Sequence, residues 1–202
     1  MECLVTMVSQ RADSWMFHTV NIGLAEMVAD AIGKRHLAIR TLGEKERELD
    51  DLKSALKSLR VEGVVSGAIA STYQRSRVDR ICDELGLKHV APLWGRRGEA
   101  LLREMISAGM EIVVTSVAAR GLDERWLGRV LDLQAVRELQ ELNERFGVDV
   151  CGDGGEFETI VLDAPWFKSS LEIKQARRIW EGVSGYYLIE EMEFRSKDMH
   201  DA

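Results

Sequence analysis

Along the first 120 residues, the spacing of hydrophobic and polar positions alternates between that of a strand and that of a helix. This pattern predicts alternating strands and helices. Short apolar runs typical of strands cover residues 3–8, 36–42, 63–69, 88–93 and 111–117. Between them, apolar residues recur at helical spacing over residues 24–32, 44–60, 72–85 and 99–108. Because near-continuous apolar strands alternate with helices, we predict an α/β fold in which a parallel sheet is covered by helices on both faces.

The pattern changes after Gly121. A helical stretch over residues 133–146 is followed by a strand at 159–162 and by extended pieces near 171–174 and 186–195. This order is typical of a smaller α+β unit. We therefore predict one domain over residues 1–120 and a second, substrate-binding domain over residues 121–202.

Composition narrows the class of protein. The chain has 202 residues, of which 46% are hydrophobic and 30% charged, with 2 prolines, which is typical of a soluble globular protein. The net charge of −7 disfavours nonspecific binding to nucleic acid or to an anionic membrane. The three cysteines and four histidines lack the spacing of a disulfide framework or a zinc site. We expect a reduced, cytoplasmic protein without a membrane-spanning segment.

Arginines follow three of the predicted strands. Each of the segments 71–77, 92–97 and 118–123 joins arginine to a hydroxyl, an aromatic ring or a glycine. Ligands of an open parallel sheet bind beyond the carboxyl ends of its strands. The planar guanidinium group of arginine can donate two hydrogen bonds to phosphate oxygens. These segments therefore predict a site for a phosphorylated ligand.

Residues 152–159 place three carboxylates and three glycines directly before an apolar strand. One interpretation is an acidic turn between strands. The other is a ligand loop, whose carboxylates hold Mg²⁺ or handle a proton. Glu156 and Glu158 are two apart and face the same side of an extended segment, where they could share a cation or a proton, or one could pair with an arginine of the other domain. We expect this loop to meet the arginines across a shared crevice.

Eight motifs together point to a family. In chain order they are LVTMVS at 4–9, MFHT at 16–19, GAIAS at 67–71, YQR at 73–75, PLWGR at 92–96, GLD at 121–123, WLGR at 126–129 and GGEFET at 154–159. In this order and at these separations they resemble the diphthine–ammonia ligase family over nearly the whole chain. That family is an N-type ATP pyrophosphatase group with a HUP-like, Rossmann-like ATP domain and a smaller carboxy-terminal domain.

The resemblance implies ATP-dependent amidation of diphthine, the modified histidine of translation elongation factor two, to diphthamide. ATP would be split to AMP and pyrophosphate through an acyl-adenylate, with ammonia as nitrogen donor. The implied ligands are ATP with Mg²⁺, ammonia and the elongation factor. The resemblance leaves open whether the protein forms a homo-oligomer. No metal-ligating side chain is predicted.

The resemblance also assigns candidate site residues. The expected catalytic residues are Glu156, Arg75 and Glu158. The expected ATP-binding residues are Thr6, Met7, His18, Gly67, Ser71, Gln74 and Arg77. The expected substrate-binding residues are Trp94, Arg96, Arg120, Asp123, Gly154, Gly155 and Thr159.

One departure from the family concerns the phosphate loop. The family begins with a strand and a Ser-Gly-Gly-Lys-Asp-Ser loop, and nothing like that loop occurs in these 202 residues. We expect a truncated product or a misplaced start, or a partner chain that supplies the strand. On this expectation the 202 residues alone bind ATP poorly.

Two other functions stay open at this point. A paralogous ATP pyrophosphatase would adenylate another substrate, and diphthine would then fail as acceptor. A non-catalytic scaffold or regulatory protein would use the domain without its phosphate loop.

Overall fold

A computed structural model describes residues 1–9, 20–42 and 47–197, which form two compact units. The first unit contains Met1–Glu26 and Arg35–Arg96, and the second contains Met27–Lys34 and the chain from Arg97 onward. The first has parallel strands with helices, and the second has an antiparallel sheet. The predicted α/β fold class with a carboxy-terminal α+β unit is therefore confirmed.

The first unit is built from two parallel strand pairs and their helices. In the described chain, β1 pairs only with β2 and β3 only with β4. A 3₁₀ turn at Ile22–Leu24 leads into α1, which continues into the second unit. The elements are β1 (Cys3–Ser9), α1 (Ala25–Ile32), β2 (Arg35–Thr41), α2 (Arg47–Ser58), β3 (Gly63–Val65), α3 (Thr72–Leu85) and β4 (Lys88–Val90).

The leucine stripe of α2 packs in the core of the first unit, as its helical spacing predicts. Leu49 and Leu56 are buried with Ile81 of α3, and Val64 of β3 packs against them. Val65 and Val90 point to the opposite side of the strand pair and are 69% and 50% exposed. Among the described residues, α2 and α3 pack on the side of the strand pair that carries Val64.

The second unit is a four-stranded antiparallel sheet with two helices. Its strand order is β6-β5-β8-β7, and β7 and β8 form a long hairpin. A 3₁₀ turn at Glu124–Trp126 precedes the second helix. The elements are α4 (Gly98–Ser107), β5 (Glu111–Val117), α5 (Leu133–Phe146), β6 (Phe157–Asp163), β7 (Ser169–Trp180) and β8 (Gly185–Ser196).

Strand β5 does not belong to the parallel sheet, contrary to the prediction. It pairs antiparallel with β6 on one side and with β8 on the other. Five of its seven residues are buried, because the sheet and the helices of the second unit enclose it. The compact units consequently divide at residues 96 and 97, whereas the sequence predicted a boundary near residue 120.

The core of the second unit joins α5 to the sheet. Leu139 and Val136 of α5 and Val114 of β5 are each fully buried. Asp132 caps the start of α5 by accepting a hydrogen bond from the Ala135 N–H at 2.7 Å. Within the described residues, no helix has the length and apolar character needed to cross a membrane.

Candidate functional site

The amino end of α3 offers hydrogen-bond donors to an anion. Ser71 caps this 14-residue helix and accepts from the Gln74 N–H at 3.3 Å, and the first turn contains no acidic residue. The positive end of the helix dipole is therefore not neutralised locally. Gly67, just upstream, is exposed, and a Cβ added there would meet nothing within 4 Å. This segment can accept a phosphate group.

Two arginines of α3 are held by aromatic rings. The Arg75 guanidinium lies 4.4 Å from the centroid of the Trp94 ring, and its Nε is 3.6 Å from a carboxylate oxygen of Asp79. Arg77 lies 3.4 Å from the centroid of the Tyr73 ring. Stacking orients a guanidinium while leaving its N–H groups able to bind other acceptors. The structure thus brings Arg75 against Trp94 and Ser71 against Gln74, whereas Arg77 lies on Tyr73 and its Nη1 donates to the Tyr73 carbonyl at 3.3 Å.

Two other predicted ATP-binding residues, Thr6 and Met7, and the predicted substrate-binding residue Arg96 lie elsewhere in the first unit. Thr6 is in β1, where its hydroxyl is 2.9 Å from Nε2 of His36. Met7 is only 4% exposed and packs in the core, so its side chain cannot line an open pocket. Arg96 is in the turn after β4, where its N–H donates to the Leu93 carbonyl. His18 lies outside the described residues.

In the second unit, the glycine–acid loop folds around the carboxylate of Glu156. One oxygen, Oε1, accepts from the Asp149 N–H at 3.1 Å. The other, Oε2, is buried and has no hydrogen-bond partner among the described residues. A buried carboxylate oxygen without a partner is costly unless a ligand supplies a donor. Gly155 has φ +84°, and Gly154 packs against the Glu156 carboxylate, so the glycines form the turn around it.

Asp149 shapes this loop and was not predicted. Its Oδ1 accepts from the N–H groups of Cys151 and Asp153 at 2.9 and 3.3 Å. Asp149 Oδ1 also accepts from the Cys151 thiol at 3.1 Å. Burial first, and then the carboxylate, raise the pKa of Cys151 to about 12, so the thiol stays protonated. The only sequence signal was an Asp placed to bond the main chain two residues on.

The remaining predicted residues of the second unit are dispersed. Glu158 and Thr159 lie in β6, opposite Ser116 and Val114 of β5, respectively. Arg120 lies 5.2 Å from the ring centroid of Phe146.

Asp123 caps the 3₁₀ turn, and its carboxylate binds Arg125 at 2.8 Å. The hydrogen bond from Arg125 lowers the pKa of Asp123. Its carboxylate is therefore occupied by a local ion pair.

No cluster of three His, Cys, Asp or Glu side chains suited to a metal ion is found within the described ranges.

Comparison with known proteins assigns the chain to a family. Family models described as "Diphthamide synthase N-terminal domain" and "Diphthamide synthase C-terminal domain" match residues 1–89 and 97–194. A protein named diphthine–ammonia ligase from Homo sapiens is 35% identical over 209 residues, covering 96% of this chain and 78% of its own length. The chain belongs to the diphthine–ammonia ligase family. We therefore describe it as a ligase of diphthamide biosynthesis.

Other relatives carry the same name. The Rattus norvegicus diphthine–ammonia ligase is 38% identical over 195 residues, which cover 88% of this chain and 72% of that protein. The Schizosaccharomyces pombe diphthine–ammonia ligase is 42% identical over 125 residues, covering 62% of this chain and 20% of that protein. The C-terminal match begins at residue 97, where the longer segment of the second compact unit also begins.

Proposed function

We propose that the protein amidates diphthine on translation elongation factor two, using ATP with Mg²⁺ and ammonia in the cytoplasm. The observation that carries the proposal is the alignment of 96% of the chain with a relative named diphthine–ammonia ligase. The arginines of α3 and the unpartnered oxygen of Glu156 support it chemically.

The first chemical step needs phosphate charge to be neutralised. A carboxylate oxygen of diphthine attacks the α-phosphorus of ATP, the bond to the β-phosphate oxygen breaks, and pyrophosphate leaves. Arg75, Arg77 and the amino end of α3 would bind the phosphate oxygens, whose negative charge they complement. Trp94 would hold the Arg75 guanidinium in one orientation.

The second step needs an acceptor for protons of the nitrogen nucleophile. Ammonia attacks the acyl carbon, the carbon–oxygen bond to AMP breaks, and the nitrogen then loses a proton. We assign to Glu156 Oε2 the role of accepting an N–H group of ammonia and then this proton. Its burial and lack of a partner in the described chain support this role. Glu158 and the main chain at Gly154 and Gly155 would contact the acceptor substrate.

The change Glu156→Gln separates the two steps. It keeps the shape of the side chain but removes proton acceptance, so we expect amide formation to slow by about a hundredfold. Exchange of pyrophosphate into ATP in the presence of the elongation factor should change less than about threefold, because adenylation precedes the step served by Glu156.

Glu144→Gln is the matched control, because Glu144 is an exposed glutamate of α5 in the same unit. Both rates should be unchanged in that variant. Equal losses of exchange and amide formation in Glu156→Gln would contradict the assigned role.

A further inference from the structure

A hydrogen-bonded chain of Ser66, His89 and Asp79 lies in the first unit. The Ser66 hydroxyl oxygen is 2.8 Å from Nε2 of His89, and Nδ1 of His89 is 2.6 Å from Oδ1 of Asp79. The His89 side chain is only 5% exposed, so its ring is fixed between these two partners. None of the three residues is assigned a role in the proposed ligase reaction, although Asp79 lies 3.6 Å from Arg75 Nε.

The partners of His89 decide where its proton lies. A carboxylate only accepts hydrogen bonds, so Nδ1 must carry the proton that it donates to Asp79. In the neutral ring, Nε2 is then an acceptor, and the Ser66 hydroxyl must donate to it. This is the arrangement in which an imidazole can remove a proton from a serine as the serine oxygen attacks an electrophile.

The main chain directly after Ser66 is exposed at Gly67. Ser66 directly follows β3 and is itself followed by Gly67, where an added Cβ would meet nothing within 4 Å. The Ser66 N–H is used by the Val90 carbonyl at 3.0 Å. Across the part of the chain that the structure describes, no acceptor is found for the Gly67 N–H. A main-chain N–H directly after a nucleophile is well placed to stabilise an oxyanion.

We propose that Ser66, His89 and Asp79 form a nucleophilic site for short, activated acyl esters, a reaction other than amidation. The Ser66 oxygen bonds to the acyl carbon while His89 takes the hydroxyl proton. The ester carbon–oxygen bond breaks, and the leaving alkoxide takes that proton. Water then attacks the acyl carbon as His89 takes one of its protons, the bond to the Ser66 oxygen breaks, and His89 returns that proton to Ser66 as the acid leaves.

The Asp79 carboxylate limits the rate of this site. The Asp79 side chain is 43% exposed, and its second oxygen is 3.6 Å from Arg75 Nε. Solvent and Arg75 therefore weaken the effect of its charge on His89. We therefore expect slow turnover, and a covalent label is a sharper readout than steady-state hydrolysis.

The test treats the full chain with a fluorophosphonate, in which a serine–phosphorus bond forms and fluoride leaves. Intact mass should show one adduct per chain, and peptide mapping should place it on Ser66. Ser66→Ala should abolish the label, and Asp79→Asn should slow labelling at least about tenfold by disturbing the imidazole tautomer. Ser76→Ala, an exposed serine of α3, should label like the wild type.

Hydrolysis of p-nitrophenyl acetate by the same proteins gives a second readout, with the same order of rates expected. An unlabelled wild-type chain, an adduct on another residue, or equal labelling of Ser66→Ala would each overturn the proposal. The location of the adduct in the wild-type chain decides the matter even if Asp79→Asn loses stability.

Discussion

The Arg75 guanidinium, stacked on the Trp94 ring, has a geometry that lysine cannot reproduce. Arg75→Lys keeps the charge but loses the planar fork and the ring contact. We expect the KM for ATP in pyrophosphate exchange to rise about tenfold, which corresponds to roughly 1.4 kcal/mol of lost binding. Arg80→Lys is the control, because Arg80 is an exposed arginine of the same helix, and its KM should not change. Equal KM values for wild type and Arg75→Lys would remove Arg75 from the site.

Cys151 provides a chemical test of the loop around Glu156. With its pKa raised to about 12, only about one thiol in ten thousand is ionised at pH 8, and the thiolate is the reactive form. Iodoacetamide at pH 8 should leave Cys151 unmodified in the folded protein and modify it in urea. Asp149→Asn should speed modification about tenfold, less than full exposure, because burial is the larger cause of the shift. Equal rates in buffer and urea would show that the thiol is not held as described.

Residue types and their order predicted part of this site. Arginine next to hydroxyl and aromatic residues after a strand indicated the group around Arg75, and the structure places Trp94 against it. Asp149 and the pairing of His89 with Asp79 were missed, because those contacts join residues seven or more positions apart or depend on the turn of a loop. The spacing of residues along the sequence does not predict such side-chain contacts.

Arg129 and Glu138 tie the segment before α5 to that helix. The Arg129 guanidinium donates to both Glu138 oxygens at 2.5 and 2.9 Å and lies 4.4 Å from the Trp126 ring centroid. The hydrogen bond from Arg129 lowers the pKa of Glu138. Because Glu138 is 38% exposed, solvent screening reduces the benefit, and Glu138→Gln should lower the free energy of unfolding by about 1 kcal/mol at pH 7.

The pH dependence of this pair follows from the lowered pKa. The stabilisation is present above the pKa of Glu138 in the unfolded chain and is lost as pH falls through the lower folded value. Urea denaturation of wild type and Glu138→Gln should therefore differ at pH 7 and converge in acid. Glu141→Gln, an exposed change on the same helix, should match the wild type throughout. A difference that persists in acid would contradict the ion-pair account.

Helices were more predictable than strand partners. The sequence predicted residues 72–85 and 133–146 as helices, and the structure has Thr72–Leu85 and Leu133–Phe146, because each has a capping residue and ends at a glycine with positive φ. The strand at Glu111–Val117 was also predicted, but its neighbours were not. A β-branched, buried run has the same composition in a parallel or an antiparallel sheet, so only the tertiary pairing distinguishes the two.

At the scale of the whole chain, two units with separate cores carry the two sets of candidate residues. The first holds the arginine–aromatic pairs and the amino end of α3, and the second holds the loop around Glu156. The diphthamide synthase N-terminal model covers most of the first unit, and the C-terminal model covers most of the second. In the proposed function, phosphate binding falls to the first unit and the nitrogen step to the second.

The most direct measurement of the ligase function is amide formation on its proposed acceptor. Purified protein is incubated with diphthine-bearing elongation factor two, ATP, Mg²⁺ and ammonium, and the diphthine peptide is followed by mass spectrometry. The account predicts replacement of the carboxylate by an amide, with equal release of AMP and pyrophosphate, and no product when ATP or ammonium is omitted. ATP cleavage that leaves diphthine unchanged while another acceptor is modified would contradict it.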